Sequence, residues 1–510
     1  MDEEYVNWRG RKIQSTKYGG IKCAVIACVV EVLENLVFIS NASNFVTYFI
    51  NSMHYPTAKA ANMVTNFMGS AFLLTIFGGF ISDSFISRFW TFMLFGIVEL
   101  LGLIILAVQA SDKSLLPAIG HQPSRGQEAL LYLGLYAMAT GVGGAKATLE
   151  AHGADQLDKS NKQLISSFFN WFFFCLSTGG IISATFMVWV EENKGWQTSF
   201  RLNIGLFSVA LCIFASVVTL YRNKRPAGSP LTRIAKVLWH TARNWKSSLP
   251  FVQTPNGISH KKLKFLDKAT INDAVSWEQV EETRTFLCLL PIFASTIMMN
   301  CCVAQLTTFS VQQGRVMNRK LGHNFEVPPA SLSVIPLVVI LSSIFLYEHL
   351  AARFMKNTPS KNNIFTPIKR IGLGLLLTSV AMVVAALVEI KRRNALENHV
   401  KVSVFWLGGQ YLLLGFADML TLGGMLDFFY SEAPDSMRSM STALAWCATA
   451  MGFYLSSVLV SIANAVSRLG GHQWLGGKDL STNRLELFYA LLCVLNFVFF
   501  LNYVYWAKRY

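Results

Sequence analysis

Long apolar stretches separated by polar segments are the dominant pattern along this 510-residue chain. Each stretch is long enough for the roughly 20 residues that a bilayer-spanning helix needs. The stretches predict twelve transmembrane helices, over residues 20–41, 57–81, 89–110, 127–150, 164–190, 199–221, 285–311, 328–350, 365–390, 402–430, 438–466 and 485–507. A long polar segment separates the sixth stretch from the seventh. The pattern therefore predicts an all-α membrane protein with two groups of six helices.

The same spacing predicts the domain organisation. We expect a cytoplasmic N-terminus at 1–19, a six-helix bundle at 20–221, a cytoplasmic linker at 222–284, a second six-helix bundle at 285–507 and a cytoplasmic C-terminus at 508–510. Two six-helix bundles around a central loop are the layout of the major facilitator fold. Because residues 1–20 are polar and of mixed charge, no cleavable signal peptide is expected.

Lysine and arginine residues indicate the orientation. They are concentrated before the first helix, in the linker and after the even-numbered helices, with a local exception at 391–393. Because basic loops face the cytoplasm, both termini and the linker are predicted to be cytoplasmic. Within the linker, Leu231, Ile234 and Leu238 recur at helical spacing between basic residues. They predict an amphipathic helix on the inner leaflet, either a structural tether or a regulatory contact.

The composition narrows the function classes. Hydrophobic residues make up 53% of the chain and charged residues only 14%, which excludes an ordinary soluble protein. The net charge of +15 fits loops that face anionic lipid better than it fits nucleic-acid binding. The nine cysteines lack metal-ligand spacing and the nine histidines are scattered. We therefore predict no metal site, no cofactor and no enzyme active site.

Ionisable residues inside the predicted helices are the strongest functional signal. Glu31 and Glu34 lie near the middle of the first helix, where a charged side chain costs about 2.5–3.5 kcal/mol. Their spacing of three places both on one helix face. Lys146 follows a run of small residues at 141–145 in the fourth helix, and Asp418 lies near the middle of the tenth. These four residues predict a transport site shared by both halves, with a structural ion pair as the alternative.

The loop between the second and third helices carries a candidate gate. Residues 78–88 have the sequence Gly-Gly-Phe-Ile-Ser-Asp-Ser-Phe-Ile-Ser-Arg. This segment resembles the cytoplasmic gating loop of major facilitators, in which an acid–base pair latches neighbouring helix ends. Asp83 and Arg88 are the candidate gating residues.

Longer strings of residues point to a family. The strings are Gly-Ala-Asp-Gln-Leu-Asp at 153–158, Phe-Phe-Asn-Trp-Phe-Phe at 168–173, Ala-Gln-Leu-Thr-Thr-Phe-Ser-Val at 304–311 and Phe-Phe-Tyr-Ser-Glu-Ala-Pro-Asp-Ser-Met-Arg-Ser at 428–439. They resemble the hallmark segments of proton-coupled oligopeptide transporters in the major facilitator superfamily, particularly the plant nitrate/peptide branch. The likeness extends over nearly the whole chain.

The resemblance implies roles for the ionisable residues. Residues 31–35 stand where the family carries Glu-x-x-Glu-Arg, and Lys146 matches a lysine of its fourth helix. In the family these groups link proton binding to substrate movement. Asn35 replaces the arginine, which removes a positive charge that would favour ionised acids. Asp418 matches an acid of the tenth helix that is usually Glu.

The resemblance also bears on the substrate. Val303 stands where nitrate-transporting members carry a histidine, and Thr307 matches a threonine of that site. Without a potential imidazolium, that nitrate site is disfavoured. Residues 31–44 and 296–313 are most similar to the subgroup that carries abscisic acid and gibberellins, which are weak acids with apolar skeletons. Thr91 matches a phosphorylated position of the nitrate sensor-transporter, with an ordinary helix-start threonine as the alternative.

Together these observations predict a secondary active transporter of the plasma membrane, which moves a carboxylic acid hormone by alternating access with proton coupling. Nitrate or another small anion, and a proton-independent carrier, are the alternatives. A receptor without transport would need a signalling domain, and the linker is the only sizeable polar segment. The expected partners are a small organic anion, protons and membrane lipid. We expect a monomer, with a weak homodimer as the alternative.

Overall fold

The computed structural model describes residues 5–12, 18–118, 121–158, 162–224, 230–247, 263–273, 275–322, 325–343, 366–432, 438–469, 473–475, 480 and 483–509. These residues are mainly helical. The helices are α1 Ile21–Asn51, α2 Thr57–Leu73, α3 Thr75–Ser84, α4 Arg88–Ser111, α5 Arg125–Asp155, α6 Lys162–Ile182, α7 Val188–Lys194, α8 Trp196–Ser216, α9 Pro230–Arg243, α10 Trp277–Val303, α11 Phe309–Val316, α12 Pro329–Ser343, α13 Pro367–Glu397, α14 Gly408–Glu432, α15 Arg438–Leu469 and α16 Leu485–Ala507.

Most of these helices coincide with the predicted membrane spans. By length and composition, nine helical segments of the described residues can cross a membrane. The remaining predicted spans correspond to α5, α12 and α14, and residues 344–350 of the eighth lie outside the described part. The predicted end of the first span at 41 is wrong, because α1 continues to Asn51. Its last turns carry Phe45, Tyr48 and Phe49, which are buried in the core and stabilise the longer helix.

Two predicted spans are interrupted rather than continuous. A π-helical turn at Ser183–Met187 joins α6 to α7. A 3-10 turn at Ala304–Thr307 joins α10 to α11. At this second break, the hydroxyls of Thr307 and Thr308 donate to the Ala304 carbonyl at 3.2 and 2.9 Å. Threonine side chains that bond backwards in this way compete with the helix ladder and bend the chain.

The helices form an N-terminal half, α1 to α8, and a C-terminal half, α10 to α16. In the first half α4 packs along α5, and α1 packs against α6 and α8. In the second, α13 packs against α14 and α16, while α10 packs against α15 and α16. The long contact between the halves runs along α2 and α15.

The two faces of the molecule differ. We call the side on which α1 begins and α16 ends the terminal face, and the other side the opposite face. On the terminal face, a short antiparallel pairing joins β1 (Tyr5–Val6) to β2 (Asn223–Lys224). On the opposite face, hydrogen bonds join the two halves: the Gln312 amide donates to the Thr57 carbonyl at 3.3 Å, and Arg315 donates to Asn51.

Helix α9 lies within the linker range and has one buried face. Ile234 and Val237 are buried, whereas Leu238 and Trp239 are exposed. Arg233 of this helix pairs with Glu282 of α10 at 3.7 Å. The helix is therefore anchored on the terminal-face end of α10 and leaves apolar and basic side chains accessible.

Candidate functional site

A buried charge cluster lies in the N-terminal half. The Lys146 ammonium on α5 donates to Glu34 Oε2 on α1 at 2.8 Å and lies 3.8 Å from Glu31 Oε1. It also lies 5.0 Å from the centroid of the Phe38 ring, within cation–π range. Glu31 and Glu34 are buried. The structure thus brings together the three residues that the sequence proposes for proton coupling.

Small residues on α5 allow this approach. A Cβ at Gly141 would lie 2.3 Å from the Cβ of Glu99, and a Cβ at Gly144 would lie 2.0 Å from the Phe95 ring. Only hydrogen fits at these positions, so α5 lies directly against α4. Close backbone packing of this kind is what small residues provide inside membranes. Lys146 lies slightly further along α5, where its ammonium contacts α1.

Asn35 occupies the position where the resemblance leads one to expect arginine. Its Oδ1 accepts a hydrogen bond from Lys146 at 3.1 Å, and its Nδ2 donates to the Leu176 carbonyl on α6 at 2.7 Å. The neutral amide therefore links the lysine to α6 without adding a second positive charge. Lys146 is the cation that the described structure places against Glu31 and Glu34.

Two further acids belong to the surroundings of this cluster, and sequence reasoning missed both. Glu99 of α4 is fully buried, and neither carboxylate oxygen has a hydrogen-bond partner among the described residues. Glu150 of α5 interacts electrostatically with Glu31 and Lys146. The insertion-energy argument that singled out Glu31 applies equally to Glu99, which lies within an apolar run at 97–101.

The candidate residues of the C-terminal half are not joined to this cluster by a hydrogen bond or ion pair in the described structure. Val303 and Thr307 flank the break between α10 and α11, where Thr307 bonds to its own backbone turn. Asp418 is partly buried on α14, and it forms no hydrogen bond or ion pair with the described residues. The C-terminal half therefore contributes a break between helices α10 and α11. It also contributes Asp418, an acid without a hydrogen bond or ion pair to the described residues.

The candidate gating residue Arg88 contacts an acid at the end of α5 that sequence reasoning did not single out. Its guanidinium forms an ion pair with Asp155 at the end of α5. Asp155 belongs to the string at 153–158, so this pair latches the start of α4 to the end of α5. The side chain of Asp83 lies outside the described structure.

Thr91 is fully buried in the first turn of α4, and its hydroxyl donates to the Ser87 carbonyl at 3.1 Å. This geometry is that of a helix-start threonine. In the present conformation a kinase could not reach the hydroxyl.

Comparison with known proteins decides the family. The model of a family described as the POT family matches residues 89–475. Protein NRT1/PTR FAMILY 4.2 of Arabidopsis thaliana is 54% identical over 518 residues, covering 100% of this chain and 99% of the relative. This chain belongs to the POT family. Protein NRT1/PTR FAMILY 4.1 of the same plant is also 54% identical, with 100% and 99% coverage.

A solved structure of the POT family agrees with the architecture. The crystal structure of the POT family transporter PepTSo superposes with a TM-score of 0.74 at 19% identity, covering 96% of this chain and 98% of that chain. The predicted fold, a major facilitator arrangement of twelve helices, is thereby confirmed. As a POT family member, the protein is a multi-pass membrane transporter of small molecules and not an enzyme.

Proposed function

We propose that this transporter couples proton movement to the passage of a carboxylic acid plant hormone, abscisic acid and/or a gibberellin. The observation that carries the proposal is the partial bonding of Glu34. Its Oε2 accepts from Lys146 at 2.8 Å, whereas its buried Oε1 has no partner among the described residues. A buried carboxylate that is incompletely bonded gains from taking a proton. Glu34 is therefore suited to change its protonation state.

Protonation of Glu34 would alter what Lys146 does. The proton binds a carboxylate oxygen and removes the negative charge that holds the ammonium. Lys146 then keeps Glu31, at 3.8 Å, and the neutral Asn35 as its nearest polar partners in the described structure. An incoming substrate carboxylate can replace the lost charge. Release of substrate and proton would return Lys146 to Glu34 and complete the cycle.

Residues of the C-terminal half support this choice of substrate class. Val303 places an apolar side chain at the break between α10 and α11, and it provides no positive charge for a small inorganic anion. A weak acid with an apolar skeleton would meet Lys146 with its carboxylate and the Val303 surface with its hydrocarbon. Thr307 and Asp418 would contribute the polar contacts of this half. The histidine of the nitrate site is replaced by Val303 here. Nitrate is therefore the second candidate substrate, and the uptake assay distinguishes it from the hormones.

The orientation of the molecule fits uptake by alternating access. We assign the terminal face to the cytoplasm of a plasma-membrane protein, because basic residues are concentrated there. The two bundles, 20–221 and 285–507, would act as the moving bodies, and 222–284 as the cytoplasmic linker. Hydrogen bonds between the halves on the opposite face then correspond to a closed extracellular side. The protein would work as a monomer.

The test is a substrate panel in a pH-clamped oocyte uptake assay, with abscisic acid, several gibberellins, nitrate and a dipeptide. We expect the hormones to be accumulated at acidic external pH. In Glu31→Gln and Lys146→Ala, pH-dependent uptake should be lost while the protein still reaches the membrane. Glu128→Gln is the matched control, because this acid pairs with Lys59 at 2.9 Å near the start of α5, far from the cluster.

Two results would overturn the proposal. Unchanged pH-dependent uptake in both cluster variants would remove the assigned proton site. Accumulation of nitrate or dipeptide, without any hormone, would replace the substrate class.

A further inference from the structure

Glu99 stands out among the buried groups that the proposed cycle does not use. It lies in the middle of α4 with no exposed surface, and both of its carboxylate oxygens lack a hydrogen-bond partner among the described residues. Most buried polar atoms in proteins are hydrogen-bonded, so an exception of this kind requires a reason. An ionised carboxylate in this position is strongly disfavoured, because it has lost its hydration without gaining a hydrogen-bond partner.

The surroundings of Glu99 connect it to the charge cluster. Gly141 of α5 contacts its backbone so closely that an added Cβ would lie 2.3 Å from the Glu99 Cβ. The charged groups that interact with Glu99 are Glu34 of α1 and Lys146 of α5. Helices α3 and α8 also pack near α4, and among the described residues they add no charged group to this interaction.

The number of charges around Lys146 explains the state of Glu99. One ammonium faces Glu31, Glu34 and Glu99, and the lysine is already bonded to Glu34. If all three acids were ionised, they would leave two negative charges uncompensated by Lys146 in a low-dielectric environment, and an ionised Glu150 would add a third. Among these acids, Glu99 is the one for which a bound proton is most favourable, because neither of its oxygens accepts a hydrogen bond from Lys146 or from another described residue.

We propose that Glu99 is a third proton-carrying acid of this cluster, which holds a proton while Lys146 pairs with Glu34 and becomes the alternative counter-ion when Glu34 is protonated. The step is an exchange in which the proton leaves the Glu99 carboxyl and binds Glu34, and Glu99 takes up a new proton from solvent after Glu34 has released its own. One carboxylate and one carboxylic acid exist before and after it, so the charge is conserved. This inference rests on the proposed proton coupling at Glu34 and Lys146.

A purely structural role would make different demands. Glu191, another buried acid of the same half, accepts hydrogen bonds from Asn44 at 3.0 Å and Ser199 at 3.2 Å. Both of its oxygens are therefore bonded, as expected of an acid that stabilises a helix junction. Glu99 has no such bonds to the described residues. For packing alone, an amide of the same shape would serve as well as its carboxyl.

The first test compares Glu99→Gln with Glu191→Gln in the pH dependence of uptake, using whichever panel substrate the wild type accumulates. Glutamine keeps the shape of protonated Glu99 but cannot become the counter-ion of Lys146. Protonation of Glu34 then becomes less favourable, so the pH of half-maximal uptake should fall by about one unit. Glu191→Gln should leave this pH unchanged. An unshifted profile in Glu99→Gln would overturn the inference.

A second measurement needs no substrate. Infrared difference spectroscopy of the purified protein in liposomes, recorded between neutral and alkaline pH, detects the carbonyl stretch of buried protonated carboxyls. We expect the wild type to show a band at neutral pH that is absent in Glu99→Gln and displaced in Glu99→Asp. If Glu99→Gln fails to fold, Glu99→Asp must retain pH-dependent uptake with a shifted midpoint. A wild-type spectrum without such a band, or the same band in Glu99→Gln, would contradict the inference.

The two proposals can fail separately. If Glu31→Gln and Lys146→Ala retain normal pH dependence, the proposed proton site is wrong whatever Glu99 does. If those variants lose it while Glu99→Gln keeps the wild-type profile, only the role of Glu99 is wrong.

Discussion

Each half of the molecule buries an acid–base pair, and the two pairs differ in how completely the acid is bonded. In the C-terminal half, Arg392 donates to both oxygens of Glu389 at 2.8 and 2.6 Å, and Gln313 donates to the same carboxylate at 2.7 Å. In the N-terminal half, Glu34 is held by Lys146 through one oxygen only. Both acids are buried.

This difference separates a structural pair from an exchangeable one. A guanidinium that binds both carboxylate oxygens is fixed in geometry and stays charged. A lysine is a point charge on a flexible stem and can move between nearby acids. This geometry favours a Glu389 pair that persists, whereas the Glu34 pair is the one that we propose changes partners.

The largest expected effect tests the persistent pair. Arg392→Met leaves Glu389 buried without its cation, which should lower the free energy of unfolding by about 3–5 kcal/mol. The uptake that remains should keep the wild-type pH dependence, because the pair lies outside the proton cluster. Thermal unfolding of the purified protein, followed by tryptophan fluorescence, measures the first effect and pH-clamped uptake the second.

Arg393→Met is the matched control for this change. The guanidinium of Arg393 pairs with Glu486 and is partly exposed, so its removal should lower the stability only slightly. The comparison fails if Arg392→Met abolishes pH dependence as Lys146→Ala does, since the two pairs would then share one role.

An intermediate effect is expected at Asp418, the unengaged acid of the C-terminal half. Asp418→Asn removes no hydrogen bond or ion pair of the described structure, so thermal stability should change by less than about 0.5 kcal/mol. If the side chain contacts substrate, the half-saturating concentration should rise about tenfold, equivalent to about 1.4 kcal/mol. Concentration-dependent uptake provides the measurement.

Asp418→Glu restores the acid and is the control. It should retain affinity better than the amide does. A large loss of stability in Asp418→Asn, with unchanged affinity among the folded molecules, would instead assign Asp418 a structural role in its half.

The prediction from sequence succeeded where local spacing determines geometry. The three-residue interval predicts that Glu31 and Glu34 share one helix face, and the cost of burying a charge predicts that Lys146 lies opposite one of them, as the structure shows. The general fold also followed, because a bilayer imposes the length of each apolar stretch.

Features that depend on distant contacts could not be predicted in this way. Asn35 donates a hydrogen bond to the carbonyl of Leu176, 141 positions away along the chain, and no local sequence pattern predicts that partner. The break after Val303 contains neither glycine nor proline, so it depends on threonine back-bonding and on packing against neighbouring helices. Arg88 meets Asp155 because α4 and α5 lie side by side, which the loop sequence alone does not show.

The smallest effect concerns the opposite face, where the two halves meet. Arg319 of the C-terminal half lies 3.4 Å from Glu192 of the N-terminal half and 3.0 Å from Glu326 on its own hairpin, β3 (Lys320–Leu321) and β4 (Phe325–Glu326). The Glu192 contact is partly exposed, so it should contribute only about 0.5–1 kcal/mol. Because this contact joins the halves, Glu192→Gln should favour the conformation that is open on the opposite face. The equilibrium between the closed and open conformations should shift two- to fivefold, which corresponds to about 0.5–1 kcal/mol.

Electron paramagnetic resonance distances between spin labels on the two halves measure the populations directly. Glu326→Gln removes the other partner of Arg319 without touching the contact between halves, and it should leave the distance distribution unchanged. Equal shifts in both variants would mean that the hairpin itself, rather than the link to Glu192, controls this face. A shift in Glu192→Gln alone would show that even a weak pair biases the transport cycle when it joins the two moving bodies.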